Sequence, residues 1–174
     1  MEPLQEADRL LVALVDDEPR IRAMVAEILH DAGVADSILE FEEPMAFLEH
    51  LKGEAETPDL ILLDVHFANS GLTGVDVLPF IREEQPYLPV ILLTGMEGEL
   101  IDDAQDFDQV YFIPKPVTPE HLLRMIRFYL GVGKKSAKRW AELSENLEEH
   151  KELIGVLEEE LAMSESAIGA SSPS

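Results

Sequence analysis

Short apolar runs alternate with segments of helical spacing along most of this chain, and this alternation limits the possible folds more than any other feature. Four runs are continuously apolar and rich in Leu, Ile and Val: Leu10–Val15, Leu60–Leu63 with Val65 just beyond, Val90–Leu93 and Val110–Ile113. Such runs are typical of parallel strands buried on both faces. A weaker run, Ser37–Phe41, predicts a fifth strand nearer the edge of the same sheet.

Helical patterns lie between these runs. Apolar spacing predicts helices around 21–29, 45–51, 75–81 and 98–106, and a last one that begins at Thr118. Gly33 and Gly53 stop the first two helices, whereas Thr118 as N-cap and Pro119 at the first helical position open the last. Five strands alternating with five helices predict an α/β domain with a doubly wound sheet over residues 8–131.

Residues 134–163 show a different pattern. Large apolar residues recur at alternating spacings of three and four, with His150 at one step: Trp140, Leu143, Leu147, Ile154, Leu157 and Leu161. This heptad seam predicts a C-terminal helical extension, a short coiled coil. It either forms a homodimer or packs on its own domain, and we favour the homodimer. Residues 164–174 are mostly small and polar, and we expect them to be disordered.

Composition excludes several classes of function. The net charge of −23 disfavours nucleic-acid and anionic-membrane surfaces, so we interpret the basic cluster at 134–139 as a solvated helix start. The absence of cysteine excludes disulfides, cysteine-ligated metals and a thiol nucleophile. The N-terminus does not read as a signal peptide, and no apolar run approaches the roughly 20 residues that cross a bilayer. We expect a cytoplasmic protein.

Polar residues follow four of the predicted strands. Asp16 and Asp17 come after the first, Asp64 after the third, Thr94 after the fourth and Lys115 after the fifth. Ligands of doubly wound sheets bind beyond the carboxyl ends of the strands, so we expect these side chains to meet at one rim. Three converging carboxylates repel one another unless a divalent cation neutralises them, and oxygen ligands favour Mg²⁺. With the lysine and the hydroxyl, the rim can hold a phosphoryl group beside an Asp nucleophile.

Each of these signals has a plainer explanation by itself. An Asp-Asp pair before Pro19 is common at helix starts, where acids cap the helix and meet its dipole. A single Asp after a strand is often a turn residue, and Lys115–Pro116 is a weak signal. Their combination, in the right order within one α/β frame, favours the phosphoryl site.

With these motifs, about residues 8–131 resemble the receiver domains of two-component response regulators. The resemblance implies a CheY-like, flavodoxin-like parallel sheet of order 2-1-3-4-5. It implies that Asp64 accepts a phosphoryl group from a sensor histidine kinase or a phosphotransfer protein, and that the domain is no enzyme beyond this transfer and its own dephosphorylation. The implied ligands of Mg²⁺ are Asp17, Asp64 and the backbone carbonyl of His66, with Asp16 acting largely through water.

The resemblance also assigns the other rim residues. Lys115 would pair with the phosphoryl group and form a cis peptide bond with Pro116. Thr94 would be the switch hydroxyl and Phe112 the aromatic switch that follows it, whereas Tyr111 fits that role less well. Phosphorylation would then change the face made by the fourth helix, fifth strand and fifth helix, and its affinity for a downstream protein partner or a second copy of the chain.

The loop after Asp64 departs from the family pattern. It reads VHFANSGLTG, is longer than usual and lacks the usual Pro. Gly95 stands where Ala is more common. We interpret the unusual side chain of His66 as an exposed rim residue that affects phosphoryl lifetime, with metal ligation and proton donation as alternatives.

Three functions remain open. The leading one is a stand-alone receiver without a DNA-binding output domain, which signals through protein contacts. A coiled-coil adaptor with a vestigial acidic pocket is the second, and the intact set of Asp17, Asp64, Thr94 and Lys115 argues against it. A Mg²⁺-dependent phosphatase that works through an aspartyl phosphate ranks last, because His66 stands where that chemistry uses a second acid.

Overall fold

One five-stranded parallel sheet organises the described part of the chain. The computed structural model describes residues 10–95, residues 102–128 and residue 163. The strands are β1 (Leu10–Val15), β2 (Ala35–Phe41), β3 (Leu60–Asp64), β4 (Val90–Thr94) and β5 (Val110–Pro114). Their order, β2-β1-β3-β4-β5, confirms the predicted doubly wound sheet. β2 lies at an edge, as its weaker apolar run predicted.

Helices connect the strands, and the first three helices each have a proline in their first turn. They are α1 (Pro19–Asp31), α2 (Pro44–Lys52) and α3 (Leu78–Glu84), and residues 102–104 and 119–128 are also helical. Proline is tolerated there because the first N–H groups of a helix have no intrahelical partner. The predicted cap at Thr118 is confirmed, since its Oγ1 accepts a hydrogen bond from the His121 N–H at 3.3 Å.

The third helix begins later than the sequence predicts. Apolar spacing predicts helix from Val75, but α3 begins at Leu78, and Val75 and Val77 are buried in the turn before it. In this turn the Thr73 N–H donates to Asp76 Oδ2 at 2.7 Å, and the Asp76 N–H donates to Thr73 Oγ1 at 3.2 Å. The prediction was wrong because a turn held by side chains can bury the same apolar spacing as a helix.

Helices cover both faces of the sheet, which explains why its central strands are apolar throughout. The first face packs against α2 and α3, with Phe47 and Ile81 in its core. The second face packs against α1 and residues 119–128, with Leu29 and Ile126 in its core. Every residue of β3 and β4 is buried. Functional side chains are therefore confined to the ends of these strands.

Several predictions concern residues outside those that the structure describes. They are the start of the fourth helix at 98–101, the extension at 134–163 apart from residue 163, and the tail at 164–174. The chain divides into two units, 1–134 and 135–174, and the sheet belongs to the first. Within the described ranges, no helix has the length and apolar character needed to span a membrane.

Candidate functional site

The acidic pair lies directly beyond β1, where the chain turns into α1. Asp16 is fully buried; its N–H donates to the carbonyl of Phe41 at 3.1 Å, and its Oδ1 accepts the Glu18 N–H at 2.8 Å. Asp17 is half-buried, and its Oδ2 accepts the Ala68 N–H at 2.7 Å. The pair therefore spans the rim: Asp16 lies inside the domain, and Asp17 reaches the loop after β3.

Asp64 ends β3 and is the second buried carboxylate. Only 4% of its surface is exposed, and it pairs with Leu93 of β4. The following loop returns to this strand end at Gly74, whose N–H donates to the carbonyl of Val65 at 2.8 Å. A Cβ at residue 74 would overlap the main-chain oxygen of Asp64. Glycine is therefore required for this close approach.

Carboxylate oxygens of Asp16, Asp17 and Asp64 lie within 4.8 Å of one another, and they form the one such group of potential metal ligands among the described residues. Burial raises the pKa of Asp16; the hydrogen bond from the Glu18 N–H opposes this shift, and the charge of Asp64 adds to it. Oδ2 of Asp16 is buried and accepts no hydrogen bond from any residue in the described ranges. A hard cation with oxygen ligands, such as Mg²⁺, fits this donor set because it would neutralise the acids, and a water bound to it could donate the hydrogen bond that Asp16 Oδ2 lacks.

Lys115 supplies a positive charge to the acidic group. Its Nζ lies 2.9 Å from Asp64 Oδ1 and 3.6 Å from Asp16 Oδ2. Burial by itself would lower the pKa of Lys115, but the hydrogen bond to Asp64 and the charges of Asp64 and Asp16 outweigh burial, so this pKa is raised. The ammonium group therefore stays charged at neutral pH. The Lys115–Pro116 peptide bond is cis, as the resemblance implied.

Thr94 and Phe112 lie on the same face of the sheet. Thr94 is buried at the end of β4, and its carbonyl accepts the Lys115 N–H at 2.7 Å. Phe112 pairs with Leu92 of β4 and packs on the face covered by α2 and α3, whereas Tyr111 packs on the opposite face. Side chains alternate along a strand, so Phe112 is the one of these two aromatic residues on the side of Thr94.

The loop after Asp64 forms a wall of the site. A cavity of about 690 Å³ lies beside it, and Asp17, Asp64, His66 and Lys115 are among its lining residues. His66 is exposed and pairs with Thr73 in an isolated antiparallel bridge. The use of its backbone carbonyl as a metal ligand stays a prediction.

Three contacts of the site were not predicted from the sequence. They are the Ala68 N–H on Asp17, the packing of Gly74 on Asp64, and a 2.7 Å hydrogen bond from Arg22 to the carbonyl of Asp16. Gly74 had a signal, since it closes the lengthened loop. The other two had none, because every residue except proline has an N–H and arginine in an amphipathic helix is normally exposed.

Comparison with known proteins identifies the family of the sheet domain. The family model described as "Response regulator receiver domain" matches residues 12–127. The nitrogen assimilation regulatory protein NtrX of Azorhizobium caulinodans is 35% identical over 114 residues, which cover 64% of this chain and 24% of that protein. The response regulator Rre1 of Synechocystis is 30% identical over 161 residues, which cover 89% of this chain and 66% of that protein. The chain thus spans only part of the length of either relative.

A solved structure agrees with these matches. The chemotaxis protein CheY4 of Vibrio cholerae superposes with a TM-score of 0.59 at 25% identity, covering 70% of this chain and 98% of that one. The family match begins in β1 and ends in the helical residues 119–128, so it includes the five strands, apart from Leu10 and Leu11, and the rim residues from Asp16 to Lys115. The chain therefore belongs to the family of response regulator receiver domains.

Proposed function

We propose that this protein accepts a phosphoryl group on Asp64 and signals by changing its contacts with other proteins. The observation that carries the proposal is the surroundings of Asp64, a buried carboxylate grouped within 4.8 Å with two others and held 2.9 Å from Lys115 Nζ. Family membership supports a sensor histidine kinase or a phosphotransfer protein as the donor.

In the proposed transfer, a carboxylate oxygen of Asp64 attacks the phosphorus of a phosphohistidine. A phosphorus–oxygen bond forms, the phosphorus–nitrogen bond breaks, and its electron pair returns to the imidazole. The product is an acyl phosphate on Asp64. Lys115 pairs with the phosphoryl oxygens through its ammonium group, which lies 2.9 Å from Asp64 Oδ1 before the transfer.

The proposal includes a Mg²⁺ ion held by Asp17, Asp64 and the backbone carbonyl of His66, with Asp16 acting largely through water. When bound, the ion offsets the charge of the carboxylates and of the transferred group. The buried Oδ2 of Asp16, which accepts no hydrogen bond from a described residue, supports this part of the proposal. The hydrogen bond from the Ala68 N–H orients the Asp17 carboxylate beside the site.

Thr94 and Phe112 carry the proposed switch. The Thr94 hydroxyl moves toward the phosphoryl group, and Phe112 rotates into the space that this leaves below the loop after β4. Their location on one face of the sheet supports this coupling. The phosphoryl group thereby shifts the population of two forms of the face built by β5 and the helices beside it, which a downstream protein partner would bind.

A homodimer is the proposed assembly. We infer a receiver domain over residues 8–131 and a helical extension over 134–163 that pairs with a second copy. The face made by the fourth helix, β5 and the fifth helix is the alternative dimer interface. Light scattering with and without beryllofluoride, a phosphoryl mimic, should show a higher mass with the mimic. An unchanged mass would remove phosphorylation-dependent association from the proposal.

The direct test of phosphoryl acceptance is incubation with Mg²⁺ and acetyl phosphate, followed by measurement of the intact mass. The wild-type protein should gain one phosphoryl group, and Asp64→Ala should gain none. Asp59→Ala is the matched control, because Asp59 is an exposed aspartate just before the same strand. It should be labelled like the wild type, and EDTA should abolish labelling of both.

The alternatives give different outcomes. A folded wild-type protein that gains no phosphoryl group would favour the coiled-coil adaptor. Turnover of varied phosphomonoesters would favour the phosphatase. Equal labelling of Asp64→Ala and wild type would show that another residue accepts the group.

A further inference from the structure

Arg22 lies in α1 and is buried although it is charged. Only 7% of its surface is exposed. A buried guanidinium group is stable only where acceptors and negative charges meet its N–H donors. Its contacts therefore identify which parts of the fold depend on it.

Three different nitrogens of Arg22 hold three different groups. Nη1 donates to the main-chain oxygen of Asp16 at 2.7 Å. Nε donates to Glu40 Oε2 at 3.2 Å, and Nη2 donates to Glu42 Oε1 at 3.1 Å. Glu40 lies in β2 and Glu42 directly follows it. Arg22 thus ties α1 to the carboxyl ends of both β1 and β2.

These contacts act on the peptide that joins the acidic pair. The oxygen that Arg22 holds belongs to the peptide between Asp16 and Asp17, and the Asp16 N–H is held by the carbonyl of Phe41 at 3.1 Å. The two peptide planes that flank Asp16 are therefore held, one by Phe41 of β2 and the other by Arg22 of α1. They set the direction in which the Asp16 side chain leaves the main chain, and the plane held by Arg22 is also one of the two that set the direction of Asp17.

We propose that Arg22 is a positioning residue for the Mg²⁺ site: by holding the Asp16–Asp17 peptide, it sets the spacing of the two carboxylates. The inference rests on the proposed function, because it concerns the affinity of that site for Mg²⁺. Groups that orient metal ligands without touching the metal affect metal affinity strongly.

Positioning and charge predict opposite effects at this residue. A positive charge near a cation site weakens cation binding, so an effect of charge alone would make Arg22→Ala bind Mg²⁺ more tightly. Glu40 and Glu42 offset the charge of Arg22 through their ion pairs. Positioning predicts weaker binding when Arg22 is removed. The direction of the change in dissociation constant therefore separates the two roles.

The test is calorimetric titration of the full chain with MgCl₂ at a temperature at which circular dichroism shows each variant folded. Arg22→Ala should raise the dissociation constant about 10-fold. Arg22→Lys should lie between this variant and the wild type, because lysine keeps the charge but cannot reach three acceptors with a planar group.

Arg82→Ala is the matched control. Arg82 also donates to main-chain carbonyls, those of Asp108 at 3.0 Å and Leu88 at 2.8 Å, but these lie just before β5 and β4, at the opposite end of the sheet. Its removal should lower stability and leave the dissociation constant for Mg²⁺ unchanged.

An unchanged or lower dissociation constant for Arg22→Ala would overturn the inference. If that variant does not fold, Arg22→Lys decides, and a wild-type value for it overturns the inference. A wild-type protein that takes up no Mg²⁺ would refute the metal site of the proposed function instead. Wild-type uptake with no effect at Arg22 would refute the positioning role alone.

Discussion

Both ends of the sheet carry acidic residues, but two of those at the carboxyl end are buried and those at the amino end are exposed. At the carboxyl end, Asp16 and Asp64 are buried, with 0% and 4% of their surface exposed. At the amino end, Asp36, Glu56 and Asp59 are exposed around a cavity of about 200 Å³. Burial, not the number of acids, is therefore what sets the carboxyl end apart.

The difference shows at which end of the sheet a bound cation would offset a cost of burial. Water solvates the exposed carboxylate of Asp59, and its Oδ2 also accepts the Leu11 N–H at 2.9 Å. Asp16 is surrounded by protein atoms instead of water, and no described residue donates a hydrogen bond to its Oδ2. The ammonium group of Lys115 lies 3.6 Å from this oxygen and offsets part of its charge, but a buried carboxylate oxygen without a hydrogen bond still costs stability, whereas a solvated charge costs little. Burial of these acids therefore lowers the stability of the metal-free protein, and it groups three carboxylates that could hold a cation.

The largest expected effect is that of Gly74→Ala. A Cβ there would overlap the main-chain oxygen of Asp64, so the substitution should lower the free energy of unfolding by about 3 kcal/mol and slow phosphorylation. Gly33, which precedes β2 at the amino end, has a φ of +62° and open space for a Cβ. Gly33→Ala should therefore cost about 1 kcal/mol and leave phosphorylation unchanged. Urea unfolding and intact-mass labelling measure both effects, and equal labelling rates in the two variants would contradict the comparison.

Asp17→Asn should raise the Mg²⁺ dissociation constant by about 100-fold, which corresponds to about 2.7 kcal/mol. The reason is that one of the three grouped carboxylates loses its charge. Asp59→Asn should leave the constant unchanged, because the amino end lies at the other end of the strands. Calorimetry measures both. Weakened binding in Asp59→Asn would mean that general surface charge, and not the carboxyl-end group, binds the ion.

Asp16→Asn should stabilise the metal-free protein at pH 7 by on the order of 1 kcal/mol. Burial raises the pKa of Asp16 in the folded chain above its unfolded value, so its cost to stability is absent below the unfolded pKa and grows as pH rises through the folded pKa. The gain should therefore shrink as pH falls through the raised folded pKa and be absent below about 4, the unfolded value. Urea unfolding in EDTA across pH tests this, and a destabilised Asp16→Asn at pH 7 would show that the buried charge is compensated.

The smallest effect is expected at Asp59. Asp59→Ala removes one exposed hydrogen bond to the Leu11 N–H and should cost about 0.5 kcal/mol, equally with and without Mg²⁺. Thermal unfolding with EDTA and with Mg²⁺ provides the measurement. If the loss of stability depended on Mg²⁺, a cation would also act at the amino end, and the proposed difference between the two ends would be contradicted.

Much of this site was predictable because its parts are local. Acids, a hydroxyl and a lysine directly follow buried strands, and the carboxyl ends of parallel strands always meet at one edge. Thr118 was predictable as a cap for a similar reason, since its contact spans only three residues of chain. Val75 and Val77 were assigned wrongly to a helix because apolar spacing records burial, and a turn can bury the same positions.

The sequence by itself determined the order of strands along the chain, the residues at their ends and the family to which the domain belongs. Tertiary structure decided which acid has a buried oxygen that accepts no hydrogen bond from a described residue, which N–H donates to Asp17, and which arginine holds the acidic pair. The Ala68 N–H lies 51 residues from Asp17, and the ion pairs that hold Arg22 in place join it to Glu40 and Glu42, which are 18 and 20 residues away. Local propensity contains no information about such contacts, because they form only when the packed sheet brings distant segments together.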